Sequence, residues 1–567
     1  MATLNAPQII SCTANVRFVI PAAPRISYCA APPMTTYAAF IEESRMKFAD
    51  PPTLTGNPGI VEGSAVLPER RMYSTGEMFP KPSSFILKSD SNLRHGFLAS
   101  ASLLMLFILL LSGGTHCSAQ NQPALPESPS PQQAKPQSFF GKLSEFYRED
   151  WHGTAPQSPT PPRRGLPSPL DSPPFPNSDW SYGGSPVIGE PDTNSYPLMT
   201  AWNGARSRTK AYGWVEPTVN FSTSAHSNAP EANDVYSNRF EVNQLILYVE
   251  RLPDSVQREH VDIGYHLTAF YGTDYKYTTD KGYFSSQLLV HNHQYGFDPV
   301  LEYIDIYVPK VAQGMNIRAG RFISIPGIEA QLTPNNYMFS HSLLYAVDPF
   351  TDTGVLATVK LSDQWLVQAG ITGGHDVALW TSDAKPSATA CVSYTTASVN
   401  DNLYLCANGI NNGKYAYNNL QQYDGTWYHK FSKTWHTATE AYVMYQRDVP
   451  STSGSIKPQA NNYGATCQPG LQTCFAPEYA ATNYILRQLS AHDFVGFRSD
   501  LLNDKKGQRT GVNTKYTENT LMLSHWIGST VQIRPEIRFD HAWDRKSYDR
   551  GTRKSQLTVA CDLIFHY

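Results

Sequence analysis

From Lys210 to the last residue, apolar and polar side chains alternate with a period of two. This period is typical of extended strands, whose successive side chains point to opposite faces. Most runs have a length close to the roughly nine to eleven residues that a tilted strand needs to cross a bilayer. The sixteen candidate strands are residues 210–222, 241–251, 261–271, 300–308, 314–322, 353–361, 364–372, 387–398, 402–410, 421–431, 435–446, 480–489, 493–500, 515–525, 530–540 and 555–567.

The connections between these candidates alternate strictly in length. The even-numbered ones are short, such as 362–363 and 490–492, and the odd-numbered ones are long, such as 323–352 and 447–479. This sorting is typical of a membrane barrel with tight turns at one end and long outer loops at the other. Closure also removes the unpaired sheet edges that a bilayer does not tolerate. The prediction is an all-β protein, a transmembrane antiparallel β-barrel of about sixteen strands, with fourteen or eighteen left open.

Composition agrees with this class. Hydrophobic residues make up 41% of the chain and the mean hydropathy is -0.38, which excludes a bundle of membrane helices. Aromatics reach 12% and charged residues only 16%, as expected when lipid-facing apolar residues are diluted by a polar lumen. A secreted all-β protein shares most of this. The net charge of -3 argues against a nucleic-acid partner, and no CxxC or Cys/His spacing predicts a metal or other cofactor.

The region before the barrel divides into three predicted segments. Residues 1–87 lack any sustained period and are interpreted as a mis-called or disordered extension. Residues 88–119 form a signal peptide with a basic start, an apolar run of about fifteen residues and a small-residue cleavage site. Lipidation at Cys117 is disfavoured because the usual upstream Leu is missing. Export of the chain follows.

Residues 120–209 are predicted to be a Pro-rich periplasmic leader. Within it, one short amphipathic helix is indicated by apolar residues at helical spacing. These are Phe139, Phe140, Leu143, Phe146, Tyr147 and Trp151. The helix could dock in the periplasm, plug part of a pore or rest on the barrel rim, and the rim is favoured.

Several stretches resemble the β-barrel porin family of the OmpL-like kind. They are residues 191–199, 211–217, 320–355, 437–446, 503–511 and 531–540. The resemblance covers Pro191 to Tyr567 and implies an outer-membrane pore, with no catalytic residue and no particular solute. The terminal aromatic Tyr567 likewise resembles the closing strand of bacterial outer-membrane barrels.

The connection after the fifth strand, residues 323–352, is long and too apolar to extend into water, so it should pack. We expect it to fold inward and narrow the pore, as the third loop of general porins does; packing on neighbouring outer loops is the alternative. The candidate constriction residues are Glu329, Asn335, Asn336, Tyr337, Asp348 and Asp352.

Strand parity predicts which charges line the lumen, because a charge on the lipid face costs about 2–4 kcal/mol near the midplane. The candidates for pore lining and selectivity are Arg318, Arg498, Arg534, Arg538, Glu440, Glu536, Asp540 and Asp305. Loop acids facing these arginines would create a transverse field. The alternative is salt bridging within the lumen.

Two further predictions concern aromatic residues and cysteines. Aromatic girdles at the membrane interfaces are expected from Trp214, Tyr248, Trp365, Trp427 and Trp435. Cys467 and Cys474, seven positions apart in a Gly/Pro/Gln-rich loop, are candidates for a local disulfide.

Together these features predict a bacterial outer-membrane porin for passive diffusion of small hydrophilic solutes, with both barrel termini periplasmic. Its partners would be membrane lipid and the solutes, and sixteen strands permit a homotrimer. A substrate-specific channel, for sugars for example, and a non-conducting barrel acting through its outer loops remain open. Enzymatic activity is not expected: Ser524 and His525 are adjacent and face opposite ways, and His291 and His293 lack a third metal ligand nearby.

Overall fold

The structure is a computed structural model of the chain. It describes residues 138–152, 188–189, 196–204, 206–398, 400–432, 434–458 and 463–567. The predicted extension 1–87, the signal peptide 88–119 and most of the leader 120–209 lie outside these residues.

The described residues form short helices and seventeen strands. The helices are α1 (Phe139–His152), α2 (Pro197–Trp202), α3 (Ser286–Leu289) and α4 (Tyr548–Gly551), with 3-10 turns η1 (Thr273–Tyr277) and η2 (Thr333–Asn335). The strands are β1 (Thr209–Ser222), β2 (Phe240–Arg251), β3 (Asp262–Gly272), β4 (Gly296–Asp298), β5 (Glu302–Val308), β6 (Met315–Ile323), β7 (Thr351–Lys360), β8 (Trp365–His375), β9 (Ser387–Thr395), β10 (Asp401–Ile410), β11 (Gln421–Ser432), β12 (Trp435–Pro450), β13 (Thr473–Gln488), β14 (Asp493–Asp504), β15 (Thr514–Ile527), β16 (Val531–Ala542) and β17 (Ser555–His566). None of these helices is long and apolar enough to span a membrane.

The strands form one antiparallel sheet that closes on itself. Apart from the short strand β4, each strand pairs with the strands before and after it along the chain. Strand β1 pairs with β17 to complete the ring. The short strand β4 and strand β5 pair with different parts of β3, so the two share one place and the barrel has 16 strands. The predicted fold class is therefore confirmed. Turns such as 361–364 and 528–530 define the short-turn end, and loops such as 324–350 and 451–472 define the long-loop end.

The largest difference from the predicted strands lies in the hairpin β12–β13. Its ladder continues past a bulge between Gln446 and Val449, so both strands extend further toward the long-loop end than the pattern indicated. A bulge shifts the alternation by one residue, which hides the continuation from a strict period-two reading. Cys467 and Cys474 form a disulfide beside this extension.

The barrel wall is apolar outside and polar inside. The outward-facing residues include Leu247, Ile304, Val355, Ile371, Leu405, Phe497, Leu521, Ile537 and Val559. The buried inner face carries Arg318, Arg498, Arg534, Arg538, Asp305, Glu440, Glu536 and Asp540. This is the inverse of a soluble core, and it suits a wall whose outer surface contacts lipid.

Two of the five predicted girdle residues face the lumen instead. Trp214 and Tyr248 are 3% and 0% exposed, their rings are in edge contact, and the Trp214 indole donates to Gln244 Oε1. Glu216 lies two residues after Trp214 and Glu250 two residues after Tyr248, so each pair shares one face of its strand. Because the carboxylates face the lumen, the aromatic residues face it too. Trp365, Trp427 and Trp435 are exposed on the outer face.

Helix α1 packs on the short-turn rim of the barrel. The Asp150 carboxylate accepts hydrogen bonds from Ser529 N at 2.9 Å and from the Thr530 hydroxyl at 2.7 Å, in the turn between β15 and β16. The Tyr147 hydroxyl donates to the His566 carbonyl at 3.0 Å, and the Tyr147 ring stacks on Phe565. The amphipathic patch thus connects the leader to the last strand.

Glycine at position 528 makes this docking sterically permissible. Its φ is +60°, and a Cβ there would overlap the Asp150 carboxylate. We predict that Gly528→Ala releases α1 and speeds trypsin cleavage after Arg148 several-fold. Gly470→Ala is the matched control, because Gly470 has a similar φ of +87° with nothing within 4 Å of a built Cβ. Equal cleavage of both variants would contradict this docking.

Candidate pore constriction

The loop between β6 and β7, residues 324–350, lies inside the barrel; we call it the constriction loop. Nearly all of its residues are buried, including Ile328, Leu332, Leu343 and Leu344. Those apolar residues pack in two clusters with side chains of the inner wall. Burying them offsets the entropy of ordering a long loop, which explains why so apolar a connection does not stay in water.

The first half of the loop is tied to the wall by backbone and hydroxyl donors. Ile328 N donates to Glu440 Oε2 at 2.6 Å, on β12. The Thr333 hydroxyl donates to Glu216 Oε2 at 2.7 Å on β1, and Thr333 N to Gln244 Oε1 at 3.1 Å on β2. Acceptors on three strands thus fix the path of the loop across the lumen.

The second half of the loop rests on Arg498, Arg534 and Arg538, which we call the basic ladder. Arg498 donates to the Ser340 carbonyl at 2.5 Å, Arg534 to the Asn336 carbonyl at 2.9 Å, and Arg538 to the His341 carbonyl at 2.6 Å. These strands, β14 and β16, lie across the ring from β6 and β7. The constriction loop therefore reaches the opposite wall and is held there through its backbone.

Each arginine of the basic ladder also pairs with an acid of the wall. Arg498 Nε lies 3.0 Å from Glu518 Oε2 on the neighbouring strand β15. Arg534 Nε lies 3.1 Å from Asp562 on β17, and Arg538 lies 2.9 Å from Asp540 on its own strand. All of these side chains are buried. Their charges are compensated within hydrogen-bonded pairs, as buried charges require.

Glu329 joins the two halves of the loop to the wall. Its carboxylate accepts from Ser342 N at 2.8 Å and from the Tyr484 hydroxyl at 2.7 Å on β13. It also lies 3.7 Å from Arg498. Next to it, burial lowers the pKa of His341 to about 4, so His341 is neutral at pH 7. One carboxylate therefore holds a loop turn, a tyrosine and the basic ladder together.

The other predicted loop residues have mainly local roles. The Asn336 side chain bonds both the N–H and the carbonyl of Ala330, at 2.8 and 2.7 Å. Asn335 N bonds the Leu332 carbonyl at 2.9 Å. The Tyr337 ring contacts Tyr484 with centroids 5.4 Å apart.

Of the remaining predicted charges, Glu536 lies beside the basic ladder and accepts from Ser340 N at 3.1 Å, whereas the others have partners elsewhere. Arg318 is bonded to Asp305 on the adjacent strand at 3.0 Å. Asp352 bonds His375 at 2.8 Å, and Asp348 N bonds the Leu344 carbonyl at 3.1 Å.

These ion pairs are salt bridges in contact rather than charges facing each other across a gap. Glu329 is paired with Arg498 at 3.7 Å, and Asp352 is bonded to His375. The arginines pair chiefly with wall acids, which is the lumenal salt bridging considered as the alternative. Desolvated guanidinium groups need partners at hydrogen-bond distance, and neighbouring strands supply them at the right spacing.

Two features of the inner wall escaped sequence reasoning. Cys391 and Cys406 form a disulfide between directly opposed positions of β9 and β10, on the lumenal face. Arg321 is paired at 3.0 Å with Asp280, in the connection after β3, and at 2.9 Å with Asp298, at the end of the short strand β4. The disulfide had a signal, because both cysteines lie in one predicted hairpin. The arginine pair had none, because its partners come from an irregular connection and the short strand β4.

Comparison with known proteins identifies the family. A family model described as "Putative beta-barrel porin-2, OmpL-like" matches residues 208–567, which is more than half of the chain. The chain belongs to this OmpL-like porin family. It is thus a porin-type barrel of the outer membrane, as the sequence resemblance indicated. No curated protein matches the sequence.

Solved porin structures are similar to this chain at low identity. An anion-selective porin from Comamonas acidovorans is 10% identical, with 63% of this chain and 99% of that chain covered and a TM-score of 0.40. The trimer form of OmpT from Vibrio cholerae is 10% identical, with 63% of this chain and 99% of that chain covered and a TM-score of 0.37. The channel DcaP of Acinetobacter baumannii is 9% identical, with 63% of this chain and 97% of that chain covered and a TM-score of 0.37. At these TM-scores the likenesses say nothing of selectivity or assembly in this porin.

The ion pairs of the basic ladder predict a large effect on stability. Replacing Arg498 with Met removes the loop-binding donor, leaves Asp500 without its cation, and leaves Glu518 with Arg538 alone, at 3.9 Å. Breaking a buried pair in this way costs about 3–5 kcal/mol. Urea unfolding of the barrel in lipid vesicles would measure the loss. Arg487→Met is the control, since Arg487 lies on the exposed face of β13 over the Trp435 ring; an equal loss in both variants would contradict the role given to Arg498.

Proposed function

We propose that this porin admits small hydrophilic solutes by passive diffusion through a lumen narrowed by the constriction loop. The observation that carries the proposal is the loop itself, bonded to the basic ladder inside a closed barrel with a polar inner wall. A polar wall lowers the cost of moving hydrated solutes, and an ordered loop sets an upper size for them. No catalytic activity is part of this proposal.

The same proposal includes the orientation of the barrel. We place the short-turn end, with both barrel termini, in the periplasm, and the long-loop end outside. Two features support this: helix α1 is attached to the short-turn rim, and the chain before it carries a predicted export signal. Lipid would contact the apolar outer wall, and a homotrimer stays a prediction that chemical cross-linking in membranes would test.

A substrate-specific channel for sugars is the second candidate, favoured by tyrosines on the inner wall. Tyr248, Tyr303, Tyr404 and Tyr428 are buried on β2, β5, β10 and β11. Aromatic faces bind the apolar faces of sugar rings, so a set of lumenal tyrosines suits a sugar path.

Liposome swelling with uncharged sugars of graded size separates these functions. Passive diffusion predicts rates that fall smoothly with solute size and rise linearly with concentration. A sugar-specific channel predicts one sugar that enters faster than smaller ones and saturates. Vesicles with folded barrels that do not swell with any solute would contradict both functions.

The Glu329 junction gives a variant for the same assay. We predict that Glu329→Gln loosens the constriction loop, because an amide cannot replace the charge facing Arg498, and that larger sugars then enter several-fold faster. Glu259→Gln is the control, since Glu259 is exposed in the turn between β2 and β3. An unchanged size limit in Glu329→Gln would contradict the assignment of this loop as the constriction.

A further inference from the structure

One strand of the inner wall, β11, carries a row of side chains with oxygen acceptors and no basic residue among them. Gln422, Asp424 and Thr426 alternate along β11 and all point inward, with exposures of 1%, 5% and 2%. Successive inward residues on a strand are about 7 Å apart, so the row follows the wall for roughly 14 Å. We call these three residues the acceptor row.

The oxygen atoms of the acceptor row receive no hydrogen bond from a nitrogen donor. Among the described residues, no partner reaches Gln422 Oε1 or Thr426 Oγ1, and the Asp424 carboxyl is bonded to the neighbouring carboxyl of Glu440. A buried polar group without a partner is costly. This concentration of unsatisfied oxygen atoms on one strand is therefore a feature to be explained.

A second carboxylate adjoins the row. Glu440 on β12 is directly opposite Thr426 in the ladder, and its carboxyl group interacts with that of Asp424. Its one described hydrogen bond from the constriction loop comes from Ile328 N at 2.6 Å. In the described part of the chain neither Asp424 nor Glu440 forms an ion pair with a lysine, arginine or histidine.

This arrangement contrasts with three other buried acids of the lumen. Asp305, Asp540 and Asp562 are each bonded to an arginine at about the same depth of burial. In Asp424 and Glu440 two carboxyl groups lie side by side with oxygen-bearing neighbours and no protein cation. Like charges in such a place require a counter-ion or protonation.

We propose that Asp424 and Glu440, with the Thr426 hydroxyl beside them, bind a hard cation in the lumen, with a divalent ion such as Ca²⁺ held more tightly than K⁺. Carboxylate, amide and hydroxyl oxygens are the ligands that Ca²⁺ and the alkali cations take. Two carboxylates match the charge of one divalent ion. The site lies beside Ile328, at the base of the constriction loop, so a bound or passing cation sits where the lumen is narrowed.

Within the proposed function, this site makes the pore prefer cations over anions. The basic ladder does not oppose that preference, because its charges are paired with wall acids and covered by loop carbonyls. Asp424 of the acceptor row and the adjoining Glu440 form an acidic pair that has no ion pair with a basic side chain among the described residues. The selectivity claim rests on the proposed function, whereas binding of the cation does not.

Binding is tested first without any transport. Tb³⁺, a luminescent substitute for Ca²⁺, is titrated into the protein folded in detergent, with excitation of tyrosine. Tyr442 is directly opposite Asp424 in the ladder and should sensitise the ion. We expect saturable emission that Ca²⁺ displaces and that drops several-fold in Asp424→Asn and in Glu440→Gln. Asp363→Asn, a change of equal charge at an exposed turn, should bind as the wild type does. Emission unchanged by the two lumenal substitutions would overturn the site.

Selectivity is tested next in planar bilayers under a KCl gradient. We expect a reversal potential on the K⁺ side, reduced K⁺ current when millimolar Ca²⁺ is added, and loss of both in Asp424→Asn. Asp424→Glu, which keeps the charge, should restore most of the preference. Steps with wild-type selectivity in Asp424→Asn would overturn the selectivity claim. Folded protein that binds Tb³⁺ but never conducts would refute the proposed function while the cation site stands.

Discussion

Everything in this barrel depends on satisfying the backbone without water. In a bilayer each unpaired N–H or C=O costs several kcal/mol, so the sheet must close. Closure occurs where β17 pairs with β1, and Tyr567 completes it by exchanging both main-chain hydrogen bonds with Gly213 at 2.8 and 2.9 Å. The Tyr567 hydroxyl adds a bond to the Ile246 carbonyl at 2.6 Å. The terminal aromatic is therefore part of the seam.

Once the wall is closed, charges near the middle of the membrane face inward at the lowest cost, and there they need partners. The basic ladder meets this need twice, with wall acids on one side and carbonyls of the constriction loop on the other. The loop carbonyls gain donors at fixed positions. The charges of the buried arginines are compensated by the wall acids. Wall and loop therefore form one unit, and a change at Arg498 or Glu329 acts on both. The acceptor row differs because its Asp424 adjoins a second carboxylate, Glu440, and neither forms an ion pair with an arginine among the described residues.

Most of the fold could be predicted because lipid imposes simple rules. Period two located the strands, loop lengths gave the topology, and the high cost of lipid-facing charge assigned Arg534 and Arg538 to the inside. The rule failed for Trp214, where an aromatic preference for the interface was set above the parity of Glu216 on the same strand. When the face of a strand is predicted, the alternation of its charged residues should outweigh the interface preference of a tryptophan, because a carboxylate facing lipid costs more free energy than a tryptophan facing inward.

The pairing inside the lumen was beyond the sequence. Arg498 could have met any acid of several strands, and the choice of Glu518 follows from a register that only the folded sheet defines. The cysteines were different: Cys391 and Cys406 lie on one hairpin, and its register would have shown them opposed. The acceptor row was hidden because it is recognised by missing donors, which a sequence does not reveal.

The most direct test of the account is the unitary conductance of the folded protein in planar bilayers. If the protein is a porin narrowed by an ordered loop, we expect discrete, long-lived current steps of uniform size. The current of each step should rise linearly with voltage at low potentials. A heat-modifiable barrel that inserts into the bilayer and yields no steps would contradict the central claim. Its function would then have to reside in the loops at the long-loop end.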